Sequence, residues 1–343
     1  MRAAPIVLCL LIACARSQPA ALPATPEAAR DLPAGALDPM LTGYAYPYPV
    51  SFHEVHSQQQ TLKMAYLDVA PTGPANARTI LLLHGKNFSA AYWAPTIAAL
   101  AADGFRVIAP DQIGFGKSSK PAHYQFSFEA LADNTRSLLG ALRIDRVTVI
   151  GHSMGGMLAI RFALMSKART DRLVLVNPIG LEDWRALGVP SATLDELYKK
   201  ELAATPESIR EYQRVAYYGG AWKPAYDALT EILIGWTRHP DYPRVAWNAA
   251  LTTDMVFTQP VVHELARLAV PTLLIIGQRD RTAIGKDRAP KDLAATLGDY
   301  PALGKRAAST IPGAKLVELD SIGHLPQVEA FDAYLSAIRG FVR

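Results

Sequence analysis

A serine set among glycines, Gly151-His152-Ser153-Met154-Gly155-Gly156, stands where a branched apolar run, Val147 to Ile150, gives way to an Ala/Leu-rich helical pattern. A serine hydroxyl is a weak nucleophile at neutral pH, and it reacts when a base takes its proton and a third group holds that base. A tight strand-to-helix turn suits this chemistry. It forces the serine toward sterically poor backbone angles, demands glycine where a Cβ would collide, and lifts the hydroxyl to the C-terminal edge of a sheet. Two later segments carry the remaining groups. Gly277-Gln278-Arg279-Asp280 follows the apolar run Thr272 to Ile276, and Gly323-His324 follows Leu316 to Leu319. Asp280 and His324 are therefore expected at the same sheet edge as Ser153, with His324 as base and Asp280 as the group that orients it. The other histidines have plainer readings. His152 should pack beside the turn, and His53 and His56, three apart on a predicted strand, face opposite sides and make a poor metal pair. His123, His239 and His263 lack a matching local context.

The elements that must position these residues follow from periodicity. Eight short β-rich stretches are expected at Ser51 to Val55, Leu62 to Val69, Thr79 to Leu83, Arg106 to Ala109, Val147 to Ile150, Leu173 to Val176, Thr272 to Ile276 and Leu316 to Leu319. Helical patterns separate most of them: Tyr92 to Ala102, Phe128 to Leu142 with Ser127 as N-cap, Met154 to Met165, and Ala330 to Val342 at the end. Apolar strands alternating with amphipathic helices imply a mostly parallel, eight-stranded sheet covered on both faces, an α/β architecture. The alternation breaks between Pro178 and Pro271. There the sequence reads as an inserted helical cap over 179–270, with Thr193 and Glu196 in a capping-box pattern, Thr205-Pro206 as N-cap and first helical residue, and Pro224 and Pro260 starting further helices. The α/β core is then 50–178 together with 271–343. Four of the five tryptophans, Trp184, Trp222, Trp236 and Trp247, fall in the cap. They either line a substrate pocket, for which Trp184, Trp222 and Trp247 are candidates beside Asn87 of the core, or fill the cap's own small core.

Composition excludes several classes. Half of the 343 residues are apolar, enough for a large core, and the net charge of +4 is spread without a Lys/Arg block, so nucleic acid is not an expected partner. Residues 1–17 read as a signal peptide: Arg2 supplies the positive region, and Pro5 to Ala13 form an apolar stretch too short to span a bilayer. Leu11-Ile12-Ala13-Cys14 resembles the lipobox of bacterial lipoproteins, in which the cysteine becomes the lipidated first residue. Ordinary cleavage after Ala13-Cys14-Ala15 or Ala15-Arg16-Ser17 is the other reading. The expected location is accordingly the periplasm, either free or membrane-attached through a lipid on Cys14, with secretion as the alternative. Both cysteines, Cys9 and Cys14, lie in this leader. The body therefore has no thiol for a disulfide, a metal site or a cysteine nucleophile. Residues 18–49, rich in Ala and Pro with little periodicity, read as a linker or surface arm of low order.

The elbow at Ser153, the order Ser153, Asp280, His324, the His84-Gly85-Lys86-Asn87 loop after Leu83 and the loop Asp111 to Ser118 together resemble the α/β-hydrolase superfamily from about Val50 to the C-terminus, apart from the cap. The position of the cap resembles the capped subgroup, which includes esterases, C–C bond hydrolases acting on ring-cleavage products, epoxide hydrolases and haloalkane dehalogenases. The last two need an aspartate at the elbow, and position 153 is serine. The resemblance implies backbone N–H donors from Met154 and Lys86 for the oxyanion of an attacked carbonyl. Some relatives carry the acid after the strand that precedes the cap, where Glu182 and Asp183 are the nearest carboxylates. The His-Gly motif continues with Lys-Asn, unlike lipases, aminopeptidases and ring-cleavage hydrolases. Lys286 to Leu303 holds extra charged sequence, expected as an additional rim.

The leader and the resemblance together imply an exported serine hydrolase, with a carboxylic ester of small or medium size as its expected substrate, an acyl-enzyme on Ser153, and neither metal nor cofactor. The alternatives are a C–C bond hydrolase of vinylogous diketones, and a ligand-binding protein that keeps the fold without turnover.

Overall fold

The computed structural model describes Met1 and residues 32–342. The leader, with Cys14, and the first part of the expected linker lie outside the described residues. Eight strands form one sheet: β1 (Val50–Ser57), β2 (Gln60–Val69), β3 (Thr79–Leu83), β4 (Arg106–Pro110), β5 (Val147–His152), β6 (Thr170–Val176), β7 (Thr272–Gly277) and β8 (Lys315–Leu319). Their order is β1-β2-β4-β3-β5-β6-β7-β8. β2 pairs antiparallel with β1 and with β4, and every later pairing is parallel. All eight stand where apolar runs in the sequence place them.

Alternation along the central strands feeds two cores. Ile80 and Leu82 of β3, with Leu273 and Ile275 of β7, face a layer that contains Ile97, Leu100, Tyr334 and Ile338. Leu81, Leu83, Leu274 and Ile276 face the opposite layer, with Leu131, Leu158 and Leu303. Residues buried on both faces explain why these strands read as unbroken apolar runs. The helices of the two layers are α1 (Ala94–Ala102), α2 (Phe128–Ala141) and α3 (Met154–Met165) before the cap, and α8 (Lys291–Thr296), α9 (Tyr300–Thr310), α10 (Pro326–Glu329) and α11 (Phe331–Val342) after it. The first turn predicted at Tyr92 is a 3-10 segment, Ala90–Trp93, that leads into α1.

Between β6 and β7 the cap supplies α4 (Leu194–Leu202), α5 (Pro206–Ala216), α6 (Glu231–Thr237) and α7 (Tyr242–Thr258). The Thr193/Glu196 capping box forms in both directions, and Thr205 accepts the Ser208 N–H with Pro206 in the first turn. Pro224 begins, and Pro260 shortly precedes, a 3-10 turn rather than an α-helix.

Residues 33–49 correct the expectation of a low-order linker. Leu41 is fully buried against Trp236 and Val245 of the cap. Trp236 Nε1 donates to the Asp38 carbonyl at 3.1 Å, Tyr44 donates to Glu231 at 3.0 Å, and Tyr46 donates to Asp111 of the core at 2.8 Å. Lys117 Nζ donates to the Leu41 carbonyl. The Ala/Pro composition hides four large apolar residues, Leu37, Leu41, Tyr44 and Tyr46, which bind this arm to core and cap. Truncating Leu41 to alanine leaves a cavity at a fully buried site, and should lower stability by about 2–5 kcal/mol in urea unfolding. A change below about 0.5 kcal/mol would mean that the arm is free in solution.

Candidate active site

Parallel strands bring their C-terminal ends to one edge, and all six are followed by polar residues there: His84 after β3, Asp111 after β4, Ser153 after β5, Asn177 after β6, Asp280 after β7 and His324 after β8. Ser153 adopts φ 56° and ψ −122° between β5 and α3. The turn closes only because its neighbours lack side chains: a Cβ on Gly151 would collide with the Gly155 carbonyl, and one on Gly155 with the Leu83 carbonyl.

The three residues singled out by their place after strands form one line. His324 Nε2 lies 2.9 Å from Ser153 Oγ, and His324 Nδ1 lies 2.6 Å from Asp280 Oδ2. Asp280 and His324 are fully buried and Ser153 is nearly so. Nδ1 must carry the proton facing a carboxylate, which leaves Nε2 free to accept from the serine. Burial alone would raise the Asp280 carboxyl. The pull of His324 and the hydrogen bonds from His324 and Thr282 outweigh it, and hold the group below the usual carboxylate range.

Three residues complete the mounting: His152, expected beside the turn, and Asn177 and Tyr217, which sequence reasoning missed. Asn177 Nδ2 donates to Asp280 Oδ2 at 2.7 Å while its Oδ1 accepts the Gly277 N–H at 2.9 Å. Tyr217 of the cap stacks on the His324 ring, centroids 4.8 Å apart, and its carbonyl accepts the His324 N–H at 3.0 Å. His152 Nε2 donates to the His324 carbonyl at 2.8 Å and its Nδ1 accepts from Tyr92 at 3.0 Å. Only a post-strand position marks Asn177 in the sequence, and nothing local marks Tyr217. Glu182 accepts from Trp184 Nε1 and the Gly298 N–H, and Asp183 pairs with His263, so neither alternative carboxylate serves His324.

Residues 78–331 match the family model described as the alpha/beta hydrolase fold. The chain belongs to this family. A probable hydrolytic enzyme of Pseudomonas aeruginosa PAO1, known from a crystal structure, is 55% identical with a TM-score of 0.88, over 90% of this chain and 98% of its own. An uncharacterized protein of Mycobacterium tuberculosis is 39% identical over 135 residues, 39% of this chain and 36% of its own length. The chain therefore spans about a third of that relative. A 2-hydroxy-6-oxo-2,4-heptadienoate hydrolase of Pseudomonas putida is 27% identical over 215 residues, 59% of this chain and 72% of its own.

In this hydrolase the loop expected to supply an oxyanion donor abuts the nucleophile: a Cβ on Gly85 would sit 3.2 Å from Ser153 Cβ. The same loop is tied to the cap. Lys86 Nζ pairs with Glu201 of α4 at 3.1 Å, and Asn87 Nδ2 donates to the Tyr217 hydroxyl at 2.8 Å. Two cavities, about 520 and 630 Å³, flank this loop, and Lys86, Asn87 and Trp236 line both. The expected rim is present in part, since Asp287 and Arg288 line the smaller cavity.

The tryptophan assignment needs correction. Trp184 is buried in the main core with its indole N–H on Glu182. Trp222 packs on Tyr218 and Tyr226, and Trp247 packs on Tyr198 with its N–H on the Ala122 carbonyl at 2.9 Å. None of the three lines either cavity. Their indoles fill the cap and core, and the cavity tryptophan is Trp236.

Two buried histidines give the hydrolase an acid-side weakness. Burial pulls His84 and His152 below the ordinary value of 6.5, and His324 beside His152 adds to the effect there. Below pH 6.5 the unfolded chain takes up protons that the folded chain refuses, so this contribution is complete above 6.5 and is lost as pH falls toward the folded values. The urea midpoint should therefore drop between about pH 7 and about pH 5, and His152→Gln, which keeps a donor for the His324 carbonyl, should flatten that drop. An unchanged pH slope in the variant would assign the acid sensitivity elsewhere.

Proposed function

We propose that this hydrolase cleaves carboxylic esters of small or medium size through an acyl-enzyme on Ser153, after export from the cytoplasm. The reading rests chiefly on the line Ser153 Oγ to His324 Nε2 to Asp280 Oδ2, at 2.9 and 2.6 Å. His324 accepts the serine proton as Oγ attacks the carbonyl carbon, and Asp280 stays ionised opposite the imidazolium. The backbone N–H groups of Met154 and Lys86 receive the developing oxyanion. His324 returns the proton to the leaving alkoxide, then activates water to release the acid. Asn87 lies at the junction of the two cavities, where the acyl and alcohol parts would diverge.

A second reading, C–C bond cleavage of a vinylogous diketone by the same residues, draws on the likeness to the Pseudomonas putida hydrolase. A chain-length series of p-nitrophenyl esters, run beside such a diketone, separates the two. Ester turnover should dominate and fall at least about a thousandfold in Ser153→Ala. Cleavage of the diketone alone would replace the ester reading. Silence on both would favour the binding-protein reading.

Export is read from the leader sequence. Labelling with a radioactive fatty acid should mark the full-length precursor's product at Cys14, and Cys14→Ser should abolish the label. An unlabelled wild-type chain that begins near Arg16 or Gln18 would instead assign a soluble exported form.

A further inference from the structure

The backbone N–H of Lys86 is one of the two donors proposed for the oxyanion, and the side chain of the same residue reaches the cap. Its Nζ lies 3.1 Å from Glu201 Oε1, with only 15% and 28% of the two side chains exposed. Both residues line the smaller cavity, so the pair joins core to cap beside the site. The place of Glu201 in its own helix is unfavourable. It falls in the last turn of α4, where the carbonyl end of a helix disfavours a carboxylate, and where Lys199 and Lys200 suit that end. What Glu201 gains there is the cation across the gap. Its own position is fixed from α7: the Tyr242 hydroxyl donates to the Glu201 carbonyl at 2.8 Å, and Thr253 Oγ1 stands 3.5 Å from Glu201 Oε1.

The loop that carries Lys86 is bounded on its other side by the elbow, where a Cβ on Gly85 would meet Ser153 Cβ at 3.2 Å. It is therefore held between the nucleophile and α4. An oxyanion donor acts through a geometry fixed in advance, and a misplacement on the order of 1 Å can cost about a hundredfold in rate. We infer that Glu201 is a positioning residue: through its ion pair with the Lys86 side chain, the cap sets where the Lys86 N–H meets the oxyanion. This rests on the ester-hydrolase reading and on the oxyanion role of Lys86 within it. A second tie, from Asn87 Nδ2 to the Tyr217 hydroxyl at 2.8 Å, keeps loop and cap joined when the ion pair is broken. What is lost with Glu201 is alignment of the donor, and the cap stays docked.

The test measures turnover of a p-nitrophenyl ester by the mature wild type, Glu201→Gln, Lys86→Met and the double variant, all of which keep the backbone N–H at position 86. Each single substitution should lower kcat about tenfold and change KM by less than about threefold, as expected when an interaction made only in the transition state is lost. The double variant should be no slower than either single one, because all three lack the same pair. An unchanged kcat, a loss carried by KM, or falls that multiply in the double variant would overturn the inference. A lower melting temperature with kcat intact would assign the pair to the scaffold instead. If the wild type turns over no ester, the ester reading fails separately, and the rate at which a fluorophosphonate labels Ser153 decides, since its phosphoryl oxygen needs the same donors. Labelling slowed by about fivefold or more in Glu201→Gln upholds the positioning role. Equal rates, or an unlabelled wild type, overturn it.

Discussion

Ser153 is held at φ 56° and ψ −122°, a conformation that costs of the order of 1–3 kcal/mol, and the site exists only while its surroundings enforce it. The enforcement is visible in the backbone. The Ser153 N–H donates to the Val176 carbonyl at 3.1 Å, and the Ser153 carbonyl accepts from Gly156 at 2.8 Å and Ile179 at 3.3 Å. Two of these partners belong to the end of β6 and the segment after it, so the elbow depends on the neighbouring parallel strand. The close approach of Gly151 to Gly155, and of Gly155 to the end of β3, locks the turn from both sides. The sheet, the glycines and the helix that follows are thus one device for presenting a hydroxyl.

The charge of Asp280 obeys a related constraint. A fully buried carboxylate survives when donors replace its lost water. His324 Nδ1, Asn177 Nδ2 and the Thr282 N–H supply three. Nearby, burial pulls His152 and His84 below the ordinary value, and both serve as fixed hydrogen-bonding groups. His84 shows the same economy, with Nε2 accepting the Gln112 N–H and Nδ1 facing the Gly85 carbonyl. Donors fixed in advance around one carboxylate leave little to reorganise when charge moves.

The parts of this arrangement that were legible in the sequence are those encoded locally. A glycine-serine turn between an apolar run and a helical pattern, and an aspartate and a histidine each just past a strand, are short-range signals, and parallel topology converts them into proximity. Asn177 and Tyr217 escaped because their roles are long-range. Asn177 matters through a hydrogen bond to a residue more than a hundred positions away, and Tyr217 through a stack set by how the cap docks. The tryptophans show the same limit from the other side. Bulk predicts burial, but only the docked helices decide that Trp236 meets a cavity while Trp184, Trp222 and Trp247 meet protein. The arm misleads for a different reason: average composition dilutes the few apolar residues, such as Leu41, that anchor it.

Because a cap residue walls one face of the His324 ring and its carbonyl holds that histidine's backbone, the cap is not a module that can be exchanged freely. A graft carrying another relative's cap onto this core would bring a new substrate cavity, but would also unseat the base unless it delivered an aromatic ring and a carbonyl to the same two places. Substrate range and proton transfer are therefore coupled through one cap residue in this chain.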